Sequence, residues 1–105
     1  MENERIKQAI LNNKIEWRKH SLQRMLERNI SRDDIKNTIL NGEIIESYPD
    51  DKPFPSILMF YQINNRPLHV VVAFDEESIK LHIVTTYEPS LDFFESDFKT
   101  RKINE

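Results

Sequence analysis

The chain has 105 residues, no cysteine, one glycine and a formal net charge of −3. This length suffices for one domain with its own hydrophobic core, and the absence of cysteine excludes zinc fingers, thiol catalysis and disulfide scaffolds. No apolar run has the length of a signal peptide or a membrane span, so we expect a soluble, cytoplasmic protein.

The chain is predicted to form one domain, residues 1–105, with a helical part at 1–42, a sheet at 43–88 and a C-terminal segment at 89–105. Its charge is unevenly distributed, because residues 14–36 hold seven basic and four acidic side chains (net +3) and the rest holds eight and fourteen (net −6). A basic segment in an acidic chain favours an anionic ligand there, although solvated charged helices are also common.

A first helix is predicted over residues 2–12, since Ile6, Ala9 and Ile10 follow the spacing of one helical face. Residues 14–18 alternate briefly and are predicted to be an extended link.

A second helix is predicted over residues 20–28, with Leu22, Met25 and Leu26 on its apolar face. The opposite face carries three polar side chains at four-residue intervals: His20, Arg24 and Arg28. Two arginines at that spacing repel each other by roughly a few tenths of a kcal/mol, so a face that keeps them favours an anion such as phosphate.

A third helix is predicted to begin at Ser31, which is followed by acidic residues, and to turn Ile35 and Ile39 inward. Gly42 is expected to end it in the left-handed conformation, where glycine has its largest steric advantage. A single glycine also excludes the glycine-rich phosphate loops of nucleotide-binding proteins.

Four strands rich in branched and aromatic residues are predicted after this helix, at residues 43–48, 57–63, 68–74 and 79–87. Short polar reversals at Asn64–Asn65 and Glu76–Glu77 favour an antiparallel meander. Residues 91–98 are predicted to be a short helix or turn. The fold class is therefore α+β, with N-terminal helices packed on a four-stranded antiparallel sheet.

His69 lies in the most apolar of these strands. An even hairpin loop after that strand would place Val84 and Thr86 on its face, whereas a bulge would bring Thr85 and Tyr87 there. We expect the polar edge of the second helix to lie beside this strand. A lone histidine is more often a core residue with one satisfied hydrogen bond, and that alternative stays open.

Histidine, arginine and tyrosine together are sufficient to cleave RNA without a metal. Histidine has the ordinary pKa that suits proton transfer near neutrality, and arginine binds two phosphate oxygens while staying charged. Three dispersed histidines without a paired-ligand motif argue against a metal site, and we expect no cofactor.

The motifs of the chain resemble a bacterial family described only as a domain of unknown function. Residues 20–31 follow H-x-x-x-R-x-x-x-R-x-I-S, residues 41–42 are N-G, residues 67–71 read P-L-H-V-V, and residues 83–89 follow I-V-T-x-Y-x-P. The resemblance extends over nearly all of the chain, residues 17–101.

Such proteins are similar to the RelE, MqsR and BrnT toxins, which share a compact fold with barnase and the colicin nucleases. The resemblance implies a ribonuclease toxin of a toxin–antitoxin pair, with RNA as its substrate and a zinc-finger or helix-turn-helix antitoxin as its partner. The implied catalytic positions are His20, His69 and Tyr87. The implied phosphate- or RNA-binding positions are Arg24, Arg28, Thr85 and Arg101.

Two alternatives remain beside this interpretation. The chain's overall acidity, unlike the basic character of those toxins, favours a non-catalytic protein-interaction module on the same fold. A hydrolase of small phosphate-bearing ligands would use the same cationic cluster.

Overall fold

The computed structural model describes residues 3–103. Its elements, in chain order, are α1 (Asn3–Leu11), β1 (Ile15–Glu16), α2 (Lys19–Glu27), α3 (Arg32–Asn41), β2 (Glu43–Tyr48), β3 (Ser56–Ile63), β4 (Arg66–Asp75) and β5 (Lys80–Tyr87). All the predicted helices and strands are present. The expected start of the first helix, Glu2, lies outside the described residues, as do residues 104 and 105.

The strands form one mixed sheet in the order β1-β5-β4-β3-β2. Strands β2 to β5 form the predicted antiparallel meander, and Asn64 and Asn65 adopt positive φ angles of 51° and 67° in the turn between β3 and β4. The expectation of only four strands was wrong, because β1 pairs in parallel with β5, Ile15 opposite Leu81. Two residues are too few to produce a strand pattern, and their partner strand is distant in the chain.

The three helices pack on one face of the sheet and enclose the main core with it. The predicted inward residues of α1 and α3 are buried: Ile6, Ala9, Ile10, Ile35 and Ile39. Met25 of α2 is also buried, but the prediction for Leu26 was wrong, since its side chain is 84% exposed. Helix α2 lies along β5 at the side of the sheet, and its Ser21 hydroxyl donates to the Ile83 carbonyl oxygen at 2.7 Å.

The third helix begins with the predicted Ser31 cap, where the Ser31 side chain accepts from the Asp34 N–H and the Asp34 carboxylate accepts from the Ser31 N–H. At the other end, Gly42 follows the helix as predicted, but its φ of −82° corrects the left-handed conformation expected there. The need for glycine comes instead from close approach. A Cβ atom at Gly42 would lie 2.5 Å from the Phe60 carbonyl oxygen and closer still to that of Thr38.

The face of the sheet turned away from the helices, called here the outer face, is crossed by the C-terminal segment. Residues 93–102, the C-terminal strap, fold back on themselves through backbone hydrogen bonds, from Lys102 to Phe93 at 2.9 Å and from Glu95 to Thr100 at 2.8 Å. Phe94 anchors the strap with only 3% of its surface exposed. Of the two predicted forms for residues 91–98, helix or turn, the structure has turns.

None of the helices within residues 3–103 is long and apolar enough to cross a membrane.

Candidate functional site

A bulge in β5 decides which side chains share a face with His69. The register between β4 and β5 shifts between Val71 and Val72, so that Thr85 pairs with Val71, and Tyr87 pairs with His69. The second of the two alternatives open in the sequence is therefore the one observed. The residues directly before and after His69 in β4 face the helix-side core. Because side chains alternate along a strand, His69 and its neighbours Thr85 and Tyr87 on β5 lie on the outer face.

The His69 side chain is completely enclosed, with an exposure of 0%. Its Nε2 lies 2.6 Å from the Phe98 carbonyl oxygen of the strap, and its Nδ1 lies 3.4 Å from the Tyr87 hydroxyl. Since a carbonyl oxygen can only accept, Nε2 carries the proton and Nδ1 presents its lone pair to Tyr87. The rings of Phe94 and Phe60 pack edge-on against the imidazole, with centroids 4.7 Å and 5.8 Å away.

An ion pair lies beside this histidine. Both oxygens of Glu46 accept from the Arg101 guanidinium, at 2.7 Å from Nε and 3.0 Å from one terminal nitrogen, and the Tyr48 hydroxyl donates to the same carboxylate. A bulge between Ile44 and Glu46 turns Glu46 and Tyr48 to the outer face. A two-point contact of this kind fixes the guanidinium plane.

We call these five residues the His69 cluster: Glu46, Tyr48, His69, Tyr87 and Arg101. Burial lowers the pKa of His69, although the bond to Phe98 opposes the shift. Burial also raises the pKa of Tyr87. The hydrogen bonds from Arg101 lower the pKa of Glu46, and those to Glu46 raise the pKa of Arg101. Burial raises the pKa of Tyr48 too, so at neutral pH the cluster contains a neutral imidazole, two neutral phenols and a paired carboxylate and guanidinium.

The structure brings together four of the sequence-predicted residues and leaves three apart. His69, Tyr87 and Arg101 belong to the cluster, and Thr85 is half-buried on the same outer face. The other three residues lie on or just after α2: His20, Arg24 and Arg28. The expectation that their helix edge lies beside the strand bearing His69 was wrong, because α2 packs on the helix-side core and β5, whereas His69 lies in β4 and faces the opposite way.

These three residues have different surroundings. His20 is exposed near the start of α2, and Arg24 is exposed with a loose contact of 3.9 Å to Glu27. Arg28 donates to the Thr86 carbonyl oxygen at 2.6 Å. Its guanidinium therefore joins the end of α2 to β5, next to Tyr87.

Sequence reasoning missed Glu46 and Tyr48. Both lie in β2, and the contact that gives Glu46 its role comes from Arg101, which is far away in the chain. Alternation along β2 could have indicated a polar outer face, but the bulge after Ile44 changes which residues occupy it.

His82 lies apart from the cluster and stacks on the Phe54 ring, with centroids 5.1 Å apart. Within residues 3–103, no three histidine, aspartate or glutamate side chains converge closely enough to hold a metal ion.

Comparison with known proteins identifies one family. A family model described as domain of unknown function DUF4258 matches residues 17–88, more than half of the chain. This match covers every residue of the His69 cluster except Arg101. A search of curated proteins and a search of solved structures found no match.

Proposed function

This chain belongs to the DUF4258 family of domains of unknown function, and we propose that it is a metal-independent endoribonuclease, the toxin of a toxin–antitoxin pair. The observation that carries the proposal is the convergence, on one face of the sheet, of an imidazole–phenol pair and an oriented guanidinium. The three are held by His69, Tyr87 and Arg101. Helices on one face of a largely antiparallel sheet are compatible with the RelE-like plan inferred from the motifs.

The proposed reaction is an internal transesterification. The 2′-oxygen of a ribose attacks the adjacent phosphorus, and the bond from phosphorus to the 5′-oxygen breaks. The products are a 2′,3′-cyclic phosphate and a free 5′-hydroxyl. One proton leaves the 2′-hydroxyl and one reaches the departing 5′-oxygen, so the reaction needs a base and an acid but no oxidant and no metal.

His69 and Tyr87 carry these two protons in the proposal. Nδ1 of His69 presents a lone pair to the Tyr87 hydroxyl, so the two side chains can exchange a proton between them. Arg101 binds the phosphate oxygens, where charge accumulates in the transition state. Glu46, which orients Arg101 in this structure, gives way to the phosphate when the substrate binds.

The separation of His20 and Arg24 from the cluster changes the roles that the sequence assigned to them. We assign acid–base chemistry to the His69–Tyr87 pair and place the exposed Arg24 with the basic segment 14–36 as a contact for flanking phosphates. Such contacts position a nucleic acid without reading its sequence. A zinc-finger or helix-turn-helix antitoxin remains the proposed partner, and the cytoplasm the proposed location.

Tightly induced expression of the wild type and of His69→Ala tests the proposal, with growth and total RNA followed in each culture. We expect growth arrest and RNA fragmentation with the wild type and neither with His69→Ala. His82→Ala is the matched control, because His82 is a part-buried histidine of the same sheet outside the cluster. It should be as toxic as the wild type. Purified protein should cleave RNA equally well in the presence of a metal chelator.

Equal toxicity of the wild type and of a soluble, folded His69→Ala protein would remove His69 from the mechanism. Cleavage that stops when metal is chelated would contradict the metal-independent reaction.

One observation favours the second candidate, a non-catalytic protein-interaction module. His69 is fully enclosed, and Arg101 already makes a two-point contact with a carboxylate, so the observed state offers no open acid–base site. A module of this kind would cleave no RNA and would tolerate His69→Gln and Tyr87→Phe without loss of partner binding. The RNA assay on purified wild-type protein separates the two candidates directly.

A further inference from the structure

The C-terminal strap closes the His69 cluster from the solvent side. We infer that the strap is an autoinhibitory lid: residues 94–98 occupy the site in the observed structure and must move off His69 before it can meet a substrate, and Arg101, near the end of the strap, then exchanges Glu46 for the substrate phosphate. The inference deepens the proposed function by adding its regulation, and it rests on that function only for the identity of the activity that the lid controls.

The strap occupies the Nε2–H of His69, a group that a substrate would need for its own hydrogen bond. The Phe98 carbonyl oxygen accepts from Nε2 of His69 at 2.6 Å. Phe98 reaches this position with a φ of 60°, a left-handed conformation that a residue with a bulky side chain rarely adopts. The strap therefore holds an unfavourable backbone conformation while its carbonyl contacts the imidazole.

Charged contacts hold the strap to the edge strand β2. Lys99 pairs with Glu43 at 2.8 Å, and Arg101 pairs with Glu46 at 2.7 Å. All but Glu46 of these four side chains are more than 40% exposed, so solvent and salt screen the pairs. Such weak contacts hold the strap in the closed position and still allow it to open.

The single deep anchor of the strap is Phe94, which packs against His69 on the outer face. The main core lies on the other side of the sheet, between the strands and the helices, and Phe94 has no part in it. The strap can therefore leave the sheet without disrupting the main core. Segments with one buried anchor and exposed polar contacts are those that open locally in native proteins.

Chemical modification of histidine measures this opening directly. Diethyl pyrocarbonate acylates an accessible neutral imidazole, and mass spectrometry of peptides from the full-length protein assigns the label to each histidine. The exposed His20 is the internal reference. In the wild type we expect His20 to react and His69 to be protected.

Phe94→Ala should raise the labelling rate of His69, relative to His20, by about tenfold or more, because the strap loses its anchor while the sheet keeps its core. Phe93→Ala is the matched control, since the side chain of the neighbouring Phe93 is 64% exposed and the substitution leaves its backbone bond to Lys102 in place. It should leave His69 protected. Circular dichroism establishes that each variant is folded.

Glu46→Gln is the second variant, and it keeps the inference testable if Phe94→Ala does not fold. It weakens the hold on Arg101 and should raise His69 labelling by a smaller factor. Labelling of His69 as fast as that of His20 in the wild type would overturn the inference. Continued protection of His69 in whichever of these variants are folded would overturn it equally.

RNA cleavage, assayed separately on the same proteins, keeps this inference distinct from the proposed function. If His69 becomes reactive in Phe94→Ala but no variant cleaves RNA, the lid is established and the nuclease proposal fails. If the wild type cleaves RNA and neither variant changes the reactivity of His69, the lid is refuted and the nuclease proposal stands.

Discussion

At the scale of single residues, His69 gives the folded state a dependence on pH. Burial lowers the pKa of His69 below its ordinary value of 6.5, so the unfolded chain takes up a proton at a higher pH than the folded chain does. The stability contributed by the neutral imidazole is therefore complete above that ordinary value and is lost as the pH falls through the window below it.

We predict that the free energy of unfolding decreases as the pH is lowered from about 7 to about 5, and that His69→Gln makes this decrease smaller. Burial lowers the pKa of His82 as well, so part of the slope should persist in the variant. Urea unfolding at a series of pH values measures the slope, and His20→Gln at an exposed position is the control. A His69→Gln protein with the wild-type slope would show that His69 has the same pKa in the folded and unfolded chain.

Gly42 supports a second prediction at this scale, because carbonyl oxygens fill the space where a side chain would begin. Gly42→Ala should lower the free energy of unfolding by about 1–3 kcal/mol, as expected when a methyl group is forced into a packed site. Asn41→Ala, at the exposed neighbouring position, should change it by less than about 0.5 kcal/mol. Equal urea midpoints for Gly42→Ala and the wild type would mean that the neighbouring strand β3 moves away from the added methyl group with little loss of stability.

At the scale of elements, side-chain hydrogen bonds attach α2 to the part of β5 that β1 does not pair with. Strand β1 pairs only with Leu81 and His82. Beyond them, the carbonyl oxygen of Ile83 accepts from Ser21 and that of Thr86 accepts from Arg28. These contacts give Arg28 a structural role that four-residue spacing on a helix could not distinguish from phosphate binding.

The two arginines of this helix should therefore respond differently to substitution. Arg28→Ala should lower the free energy of unfolding by about 1 kcal/mol, the value of one hydrogen bond from a charged group at a partly exposed site. Arg24→Ala should change it by less than about 0.5 kcal/mol, since its pair with Glu27 is long and exposed.

Urea unfolding of the two variants tests this difference, and RNA affinity in the same proteins tests the proposed phosphate contact. A stable Arg24→Ala protein that binds RNA more weakly would support that contact. Equal destabilisation by both substitutions would contradict the separate roles of the two arginines.

Elements whose signals are local were predictable from the sequence. The cap at Ser31, the inward spacing of Ile35 and Ile39, and the turn at Asn64–Asn65 each depend on residues close together in the chain. Strand β1 was not predictable, because it exists only through pairing with β5. The side of the sheet reached by Tyr87 was not predictable either, because one bulge reverses it.

At the scale of the whole molecule, the sheet separates a helix-covered face from the face that holds the His69 cluster. His69, Tyr87 and Arg101 could be chosen from the sequence through the motif resemblance, but their partners could not. The contacts of His69 with Phe98 and of Arg101 with Glu46 join distant parts of the chain across the outer face. The basic segment 14–36 lies largely in α2, α3 and their connections, so the two parts of the predicted site are on different elements.

This two-sided arrangement predicts a difference in local stability across the molecule. Strand β4 is hydrogen-bonded on both sides, to β3 and β5, and its inward residues belong to the main core. The strap has its own backbone bonds, including those from Glu95 and Lys102, but Phe94 is its only buried residue, and its ion pairs to β2 are exposed to solvent. Amides of β4 should exchange with solvent only through global unfolding, and those of the strap through a smaller opening.

Hydrogen exchange at increasing, sub-denaturing urea concentrations measures both openings, because the urea dependence reports the surface that each one exposes. We expect a weak urea dependence for the amides of Glu95 and Lys102 and a strong one for those of β4. Phe94→Ala should speed exchange in the strap more than in β4, and Phe93→Ala should change neither. If strap and β4 amides share one free energy and one urea dependence, the strap unfolds only with the whole molecule and cannot act as a lid.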